Sequence, residues 1–263
     1  MDRQIVNNDR LGIGGVAVLG LAGMFFAVPM LMTAAFSLWE GGPHYGFAAF
    51  RILLQSPQLL EAMALSIELS LATVAALVLL LVPAMIFMHL YAPKLKPAFD
   101  FIASLPFVVP AIALVAGLSN LVTGPEWLIG TPFYLVIPYF FLALPFVYRS
   151  LDIGIAAIDL PVLTEAGQSL GAGMGQIIVM VVLPSLRASL VGSALLTLAV
   201  VFGEFTFANV LLFHTYAVFL NQIGQHEANA AAALSVASFL LTWGAMLGVL
   251  LLGRAKAAKT EGR

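Results

Sequence analysis

Charge is scarce in this sequence: Lys, Arg, Asp and Glu together make up 9% of its 263 residues. Ordinary soluble domains carry about 25% charged residues, so this chain has too few to cover a water-facing surface of its own size. Cysteine is absent altogether. That excludes a disulfide framework, thiolate metal sites and a cysteine nucleophile, and leaves the redox compartment open. No Gly-x-x-x-x-Gly-Lys phosphate loop occurs: Gly171, Gly173 and Gly175 have no following Lys and fit turns and close packing. Low-complexity segments and a visible internal repeat are missing too. An inverted three-plus-three repeat is conceivable, but the sequence does not display one.

What the chain has in abundance is apolar length. It is 62% hydrophobic, with a mean hydropathy of +1.05. Six runs come close to the roughly 20 residues needed to cross a bilayer core: 11–36, 64–91, 99–122, 131–148, 188–213 and 231–252. They are continuously apolar and lack the alternation of barrel strands, so helices are expected. The first run is longer than the 7–15 apolar residues of a signal peptide and shows no clear cleavage site, which predicts an uncleaved anchor. Pro29 is expected to bend this run or end it early. Pro83, Pro106, Pro110, Pro138 and Pro145 each remove a backbone donor within a span, serving either packing kinks or gating hinges. The expectation is an all-α membrane protein, a single transmembrane domain over 1–263 with about six transmembrane helices.

Orientation follows from the basic residues. With the N-terminus inside, six spans leave Arg3, Arg10, Lys94, Lys96, Arg149, Arg187, Arg254, Lys256, Lys259 and Arg263 on the inner side, and only Arg51 outside. Lys and Arg resist translocation, so both termini are predicted to be cytoplasmic. The longest polar stretch, 149–187, then also lies inside. The outer segment 37–63 is the next longest, with a turn at Gly41-Gly42-Pro43.

The inner loop is the most informative segment. Asp159 and Pro161 are helix-start residues, and a short helix is expected to run to about Leu170. Gly171 supplies the left-handed residue that commonly ends a helix. Leu160, Leu163 and Leu170, with Ala166 and Gly167, give this helix an apolar or small face. A second helix is expected from about Met174 into Leu183-Pro184. The result is a helix–turn–helix with a face to dock.

Its spacing resembles the EAA motif of permease subunits in binding-protein-dependent ABC importers. Glu165-Ala166-Gly167, three residues, Gly171, nine residues, Val181, one residue and Leu183-Pro184 fit the family pattern. Gly167 stands for the second Ala and Val181 for Ile. Pro106 to Gly117 resembles the family's third span, and Leu144-Pro145-Phe146-Val147-Tyr148-Arg149 resembles its lead into the motif. Phe202-Gly203-Glu204-Phe205 is similar to the polyamine and ferric-iron branches. The resemblance covers most of the chain after about residue 60.

That resemblance implies a type I ABC importer permease in a bacterial inner membrane. Its coupling helix would sit in a groove of a cytoplasmic ATPase, with Asp159, Pro161, Glu165, Ala166, Gly167, Leu170, Gly171, Val181, Leu183 and Pro184 forming the docking loop. It implies two ATPase subunits that bind the ATP, a second permease (a homologous chain or another copy) and an external solute-binding protein. The lipid bilayer is a further partner, and nucleic acid is not. The permease itself would be no enzyme and would hold no cofactor or metal. Polyamines such as spermidine or putrescine lead as substrate, with ferric iron, phosphonate, thiamine and opine-like solutes as alternatives.

Glu68 and Glu204 are the acids placed within or beside spans, and an intramembrane carboxylate is a functional candidate by default. Glu68 falls near an outer span end, where an interfacial role suffices. Glu204, with Asn209 nearby, either lines a path for a cationic solute or serves as a structural carboxyl hydrogen-bonded to a neighbour. His44, His214 and His226 fall in or near outer loops and His89 near an inner span end; they lack close metal-ligand spacing, and exposed histidines are the expectation. Trp39 and Trp127 fit an interfacial aromatic belt. A rival class, an ion-coupled secondary transporter, needs coupling-ion sites near the midplane, and only Glu204 qualifies. A membrane-embedded enzyme lacks any supporting constellation.

Overall fold

The computed structural model describes residues 13–121 and 125–261. In chain order the first elements are α1 (Ile13–Leu38), a small antiparallel hairpin of β1 (Trp39–Gly41) and β2 (His44–Tyr45), α2 (Ala48–Leu54) and α3 (Pro57–Tyr91). Then come α4 (Lys96–Val108), α5 (Ala111–Leu121), α6 (Glu126–Ile129), α7 (Val136–Ala156), α8 (Leu160–Ser169) and α9 (Met174–Ile177). The chain continues through α10 (Leu183–Ser185), α11 (Arg187–Gly203), α12 (Thr206–Val210), α13 (Tyr216–His226) and α14 (Ala228–Glu261). It groups into two compact units, one of residues 1–57 with 220–263 and the other of 58–219.

In the first unit α1 packs beside α14. Pro29 does not end α1, the second of the two outcomes expected from the sequence, and the helix runs on to Leu38. The Thr33 hydroxyl donates to the Pro29 carbonyl at 2.8 Å, satisfying a polar group inside an apolar helix. Ala230, Ala233 and Leu234 are buried on α14, and small residues of this kind let helix backbones approach closely.

The second unit is built on α3, α7 and α11. Ser150 and Gly154 on α7 face Ser189 and Gly192 on α11, and the Ser150 hydroxyl donates to the Ser189 carbonyl at 3.1 Å. A Cβ on Gly154 would collide with the Ser189 side chain. The small residues at 150 and 154 thus set the closeness of the pair. In lipid this packing, rather than exclusion of water, holds helices together. One core cluster gathers Leu77, Met85, Ile86, Val147, Leu151, Ile155, Leu160, Ile177 and Leu186. A second gathers Leu69, Val115, Leu135, Tyr139, Val201 and Phe207. Buried hydroxyls on α3 turn back onto their own helix, Ser70 to the Ser66 carbonyl at 2.6 Å and Thr73 to that of Leu69 at 2.7 Å.

Two expected spans are not continuous helices. The run 99–122 is split into α4 and α5, which meet at 101°. Pro110 forces Val109 out of helical geometry, to φ −87 and ψ 120. The run 188–213 stops at Gly203, where Glu204 is extended at φ −80 and ψ 120, and only the short α12 follows. Upstream, Met174–Ser185 meets α11 at 74°. Among the described residues three helices are long and apolar enough to cross a membrane, or up to five spans if each bent pair counts as one. The sixth run, 231–252, lies within the long helix α14.

Candidate functional site

The segment 156–187 folds locally as its residues dictate. The Asp159 carboxylate accepts from the Val162 N–H at 3.3 Å and caps α8, with Pro161 in the first turn, where its missing donor costs nothing. Leu160 and Thr164 are buried on one side of α8. The outward side carries Val162, Glu165, Ala166, Ser169 and Leu170, and Leu170 is 89% exposed. α8 ends in a Schellman turn: the Ala172 N–H donates to the Gly167 carbonyl at 3.1 Å and the Gly171 N–H to that of Gln168 at 2.8 Å. This geometry puts Gly171 at φ +81, where a Cβ is strained. The Gly173 N–H then donates to Gln176 Oε1 at 3.0 Å, opening α9.

Gly167 faces inward. A Cβ there would stand 2.7 Å from Ile177 Cγ1 and 2.9 Å from its Cδ1. Ile177 is itself buried in the core cluster, so α8 and α9 close on each other through a notch that Gly167 leaves. This is a physical reason for Gly at a position where the motif has Ala. From Ile178 to Val182 the helix widens to π geometry just before Pro184. Pro184 lacks the donor and its ring crowds the preceding turn, a strain that a wider turn relieves. Val181 and Leu183 pack against the core, and Pro184 is exposed.

The sequence-picked loop residues therefore divide. Glu165, Ala166 and Leu170 share an exposed face, Asp159 and Gly171 shape the ends of α8, and Gly167, Val181 and Leu183 pack inward.

A polar cluster at the base of α8 escaped the sequence reading. His89 is on the last turn of α3, at the span end where the sequence put it, but half-buried rather than exposed. Its Nδ1 lies 2.9 Å from the Met85 carbonyl and its Nε2 lies 3.3 Å from Asp152 on α7. Lys96 on α4 pairs with the same Asp152 and lies over the Tyr148 ring, 5.9 Å from its centre. The Tyr148 hydroxyl donates to Asp100 at 2.8 Å. Asp100 and Asp152 thus join Glu68 and Glu204 as acids within or beside the apolar runs. Together these groups tie α3, α4 and α7 just before the chain enters α8. A shallow cleft of about 400 Å³ lies there, lined by His89 and Ile155–Pro161.

Glu204 and Asn209 are not joined. Glu204 is buried, and its carboxylate accepts from the Phe207 N–H at 2.9 Å and the Ala208 N–H at 3.4 Å. It caps the short helix beyond the break in its own span. The Tyr139 hydroxyl neighbours this carboxylate without closing a hydrogen bond. Asn209 is exposed, as is Glu68 on α3. Among the described residues no group of His, Asp and Glu side chains has metal-binding geometry.

No protein-family model matches the sequence, and no curated protein matches it either. Solved structures do resemble the fold. The crystal structure of a bacterial ABC transporter involved in the import of the acidic polysaccharide alginate matches with a TM-score of 0.64 at 20% identity, over 91% of this chain and 93% of that chain. The bacterial alginate ABC transporter in complex with an alginate pentasaccharide-bound periplasmic protein matches with a TM-score of 0.62 at 20% identity, over 90% of each chain. The likeness is one of fold along nearly the whole chain.

Proposed function

We propose that this chain is a transmembrane permease subunit of an ATP-driven solute importer in a bacterial inner membrane, and that α8 is its coupling helix. The observation that carries the reading is the two-sidedness of α8. Leu160, Thr164 and Gly167 lock it to the core, while Glu165, Ala166 and Leu170 stand free on the other side. Such a helix transmits force, because motion of whatever grips the outward face passes into α9 and the turn after it, and through Leu160 into the core cluster shared with α3 and α7. The likeness of fold to chains of alginate ABC transporters supports the same reading. ATP hydrolysis then belongs to two cytoplasmic ATPase partners, and a second permease and an external solute-binding protein complete the assembly.

For the solute, the polyamine branch leads on sequence resemblance alone. Glu204 lends it no support, because its carboxylate is already engaged by two backbone donors. Ferric iron, phosphonate, thiamine, opine-like compounds and, from the structural neighbours, acidic oligosaccharides are the alternatives. Ligand binding by the cognate external protein decides among them.

The docking claim is tested by co-purification. Glu165→Lys reverses a charge on the exposed face, and Gly171→Asp forces a side chain into a left-handed position. Both variants are expected to insert normally yet lose the associated ATPase and solute uptake. Retained complex and retained uptake in both variants would overturn the docking role.

A further inference from the structure

The segment after α1 is held in place by polar contacts, yet it turns apolar side chains outward. Asn229 on α14 donates to the Trp39 carbonyl and, at 3.3 Å, to that of Phe36. The Trp39 indole donates to the Gly42 carbonyl at 2.9 Å, and the Glu40 carboxylate accepts from the Ala48 N–H at 3.0 Å. α2 is seated on α14, with Ala49 and Leu53 buried. These polar contacts fix the segment to itself and to α14. Outward stand Tyr45 at 67% exposure, Phe47 at 72%, Ile52 at 44% and Leu54 at 85%. Arg51 is exposed on the same short helix and has no ion pair among the described residues.

The position of this surface follows from the length of α1. Its 26 residues reach about 39 Å at 1.5 Å per residue, beyond the ~30 Å hydrocarbon layer. Centred in the bilayer, α1 ends within the headgroup zone, and Trp39 follows immediately. The exposed surface of the hairpin and α2 continues that of α1, which is apolar and unburied throughout its core stretch. Four large apolar groups left in water beside a membrane make an aggregation liability. At the headgroup level they find acyl chains, and aromatic rings are enriched there. A guanidinium in the same place meets lipid phosphate in the fork geometry that suits it.

We propose that the β1–β2 hairpin and α2 form an interfacial lipid-binding platform. Tyr45, Phe47, Ile52 and Leu54 lie in the headgroup–acyl boundary, and Arg51 contacts a phospholipid phosphate. The proposal rests on α1 crossing the membrane and is independent of the importer reading. It has a direct test because the chain has no native cysteine. Phe47→Cys and Leu54→Cys, each spin-labelled, are placed in the full chain with its co-purifying subunits in phosphatidylethanolamine/phosphatidylglycerol vesicles. Power saturation then compares access of dissolved oxygen with that of an aqueous nickel chelate. Oxygen is expected to dominate at both sites, and Arg51→Gln in the Leu54→Cys background is expected to lower the oxygen-to-nickel ratio about twofold or more. Dominant nickel access at both sites overturns the platform. Nickel access that disappears only when the external binding protein is added also overturns it, by identifying a protein-docking face. An unchanged ratio with Arg51→Gln overturns the phosphate contact.

Discussion

The turn at Gly171 and the turn at Glu204 both stop one helix and start another within a few residues, yet they are made from different materials. At Gly171 the chain is exposed, and backbone groups satisfy each other through a left-handed glycine. At Glu204 the chain is buried, and a carboxylate supplies the acceptors for the Phe207 and Ala208 donors of the next helix. The difference is one of solvent. An exposed helix end has water as a fallback, whereas a break inside an apolar span must satisfy its polar groups from within the protein. A carboxylate suits the second task because its two oxygens take both donors at once.

The largest expected effect tests this contrast at the buried turn. Glu204→Ala leaves two donors without partners, and an unsatisfied buried group costs about 1–3 kcal/mol. Thermal unfolding in lipid nanodiscs should fall sharply. Glu204→Gln keeps an acceptor oxygen and should lose clearly less. Equal losses in the two variants would remove the capping role. If Glu204→Gln instead keeps full stability but abolishes uptake, the charge itself matters and a pathway role returns.

A smaller effect is expected at the notch between α8 and α9. Gly167→Ala brings a Cβ against Ile177. Overpacking typically costs about 1–3 kcal/mol, and up to about 1 kcal/mol is recovered from helix propensity. A modest net destabilisation should follow. Ile177→Ala leaves a cavity when made alone but removes the clash, so the double variant should be less destabilised than the sum of the singles. Simple additivity in unfolding measurements would show that the two residues do not meet.

The same contrast explains what the sequence made legible. Asp159, Pro161 and Gly171 act through local backbone rules, so the start and end of α8 follow from residue type and spacing. Apolar length likewise located α1, α3 and α7. Pro110 was visible as a proline, but a proline within a span allows anything from a mild kink to the observed 101° bend. Residues beyond the local chain decide which. Glu204 stood out as a carboxylate in an apolar run, a signal shared by a solute ligand and a cap. Its partners, only three and four residues ahead, separate the two once the extended backbone at Glu204 is known. The Lys96–Asp152–His89 cluster was hidden because its members lie 56 or more residues apart in pairs with Asp152, and no local pattern joins them.

The smallest expected effect lies at the exposed start of α8. Asp159→Ala removes one acceptor from the Val162 donor, a bond 3.3 Å long at a position open to water. Replacing such a cap by Ala costs about 0.5–2 kcal/mol, and water and the long bond place this one at the low end. Asp159→Asn should be nearly silent, because the side-chain oxygen remains. Global unfolding should barely change in either variant, while amide exchange at Val162 and Leu163 should quicken in Asp159→Ala alone. A loss comparable to that of Glu204→Ala would break the comparison, since solvent exposure could then no longer be what distinguishes the two turns.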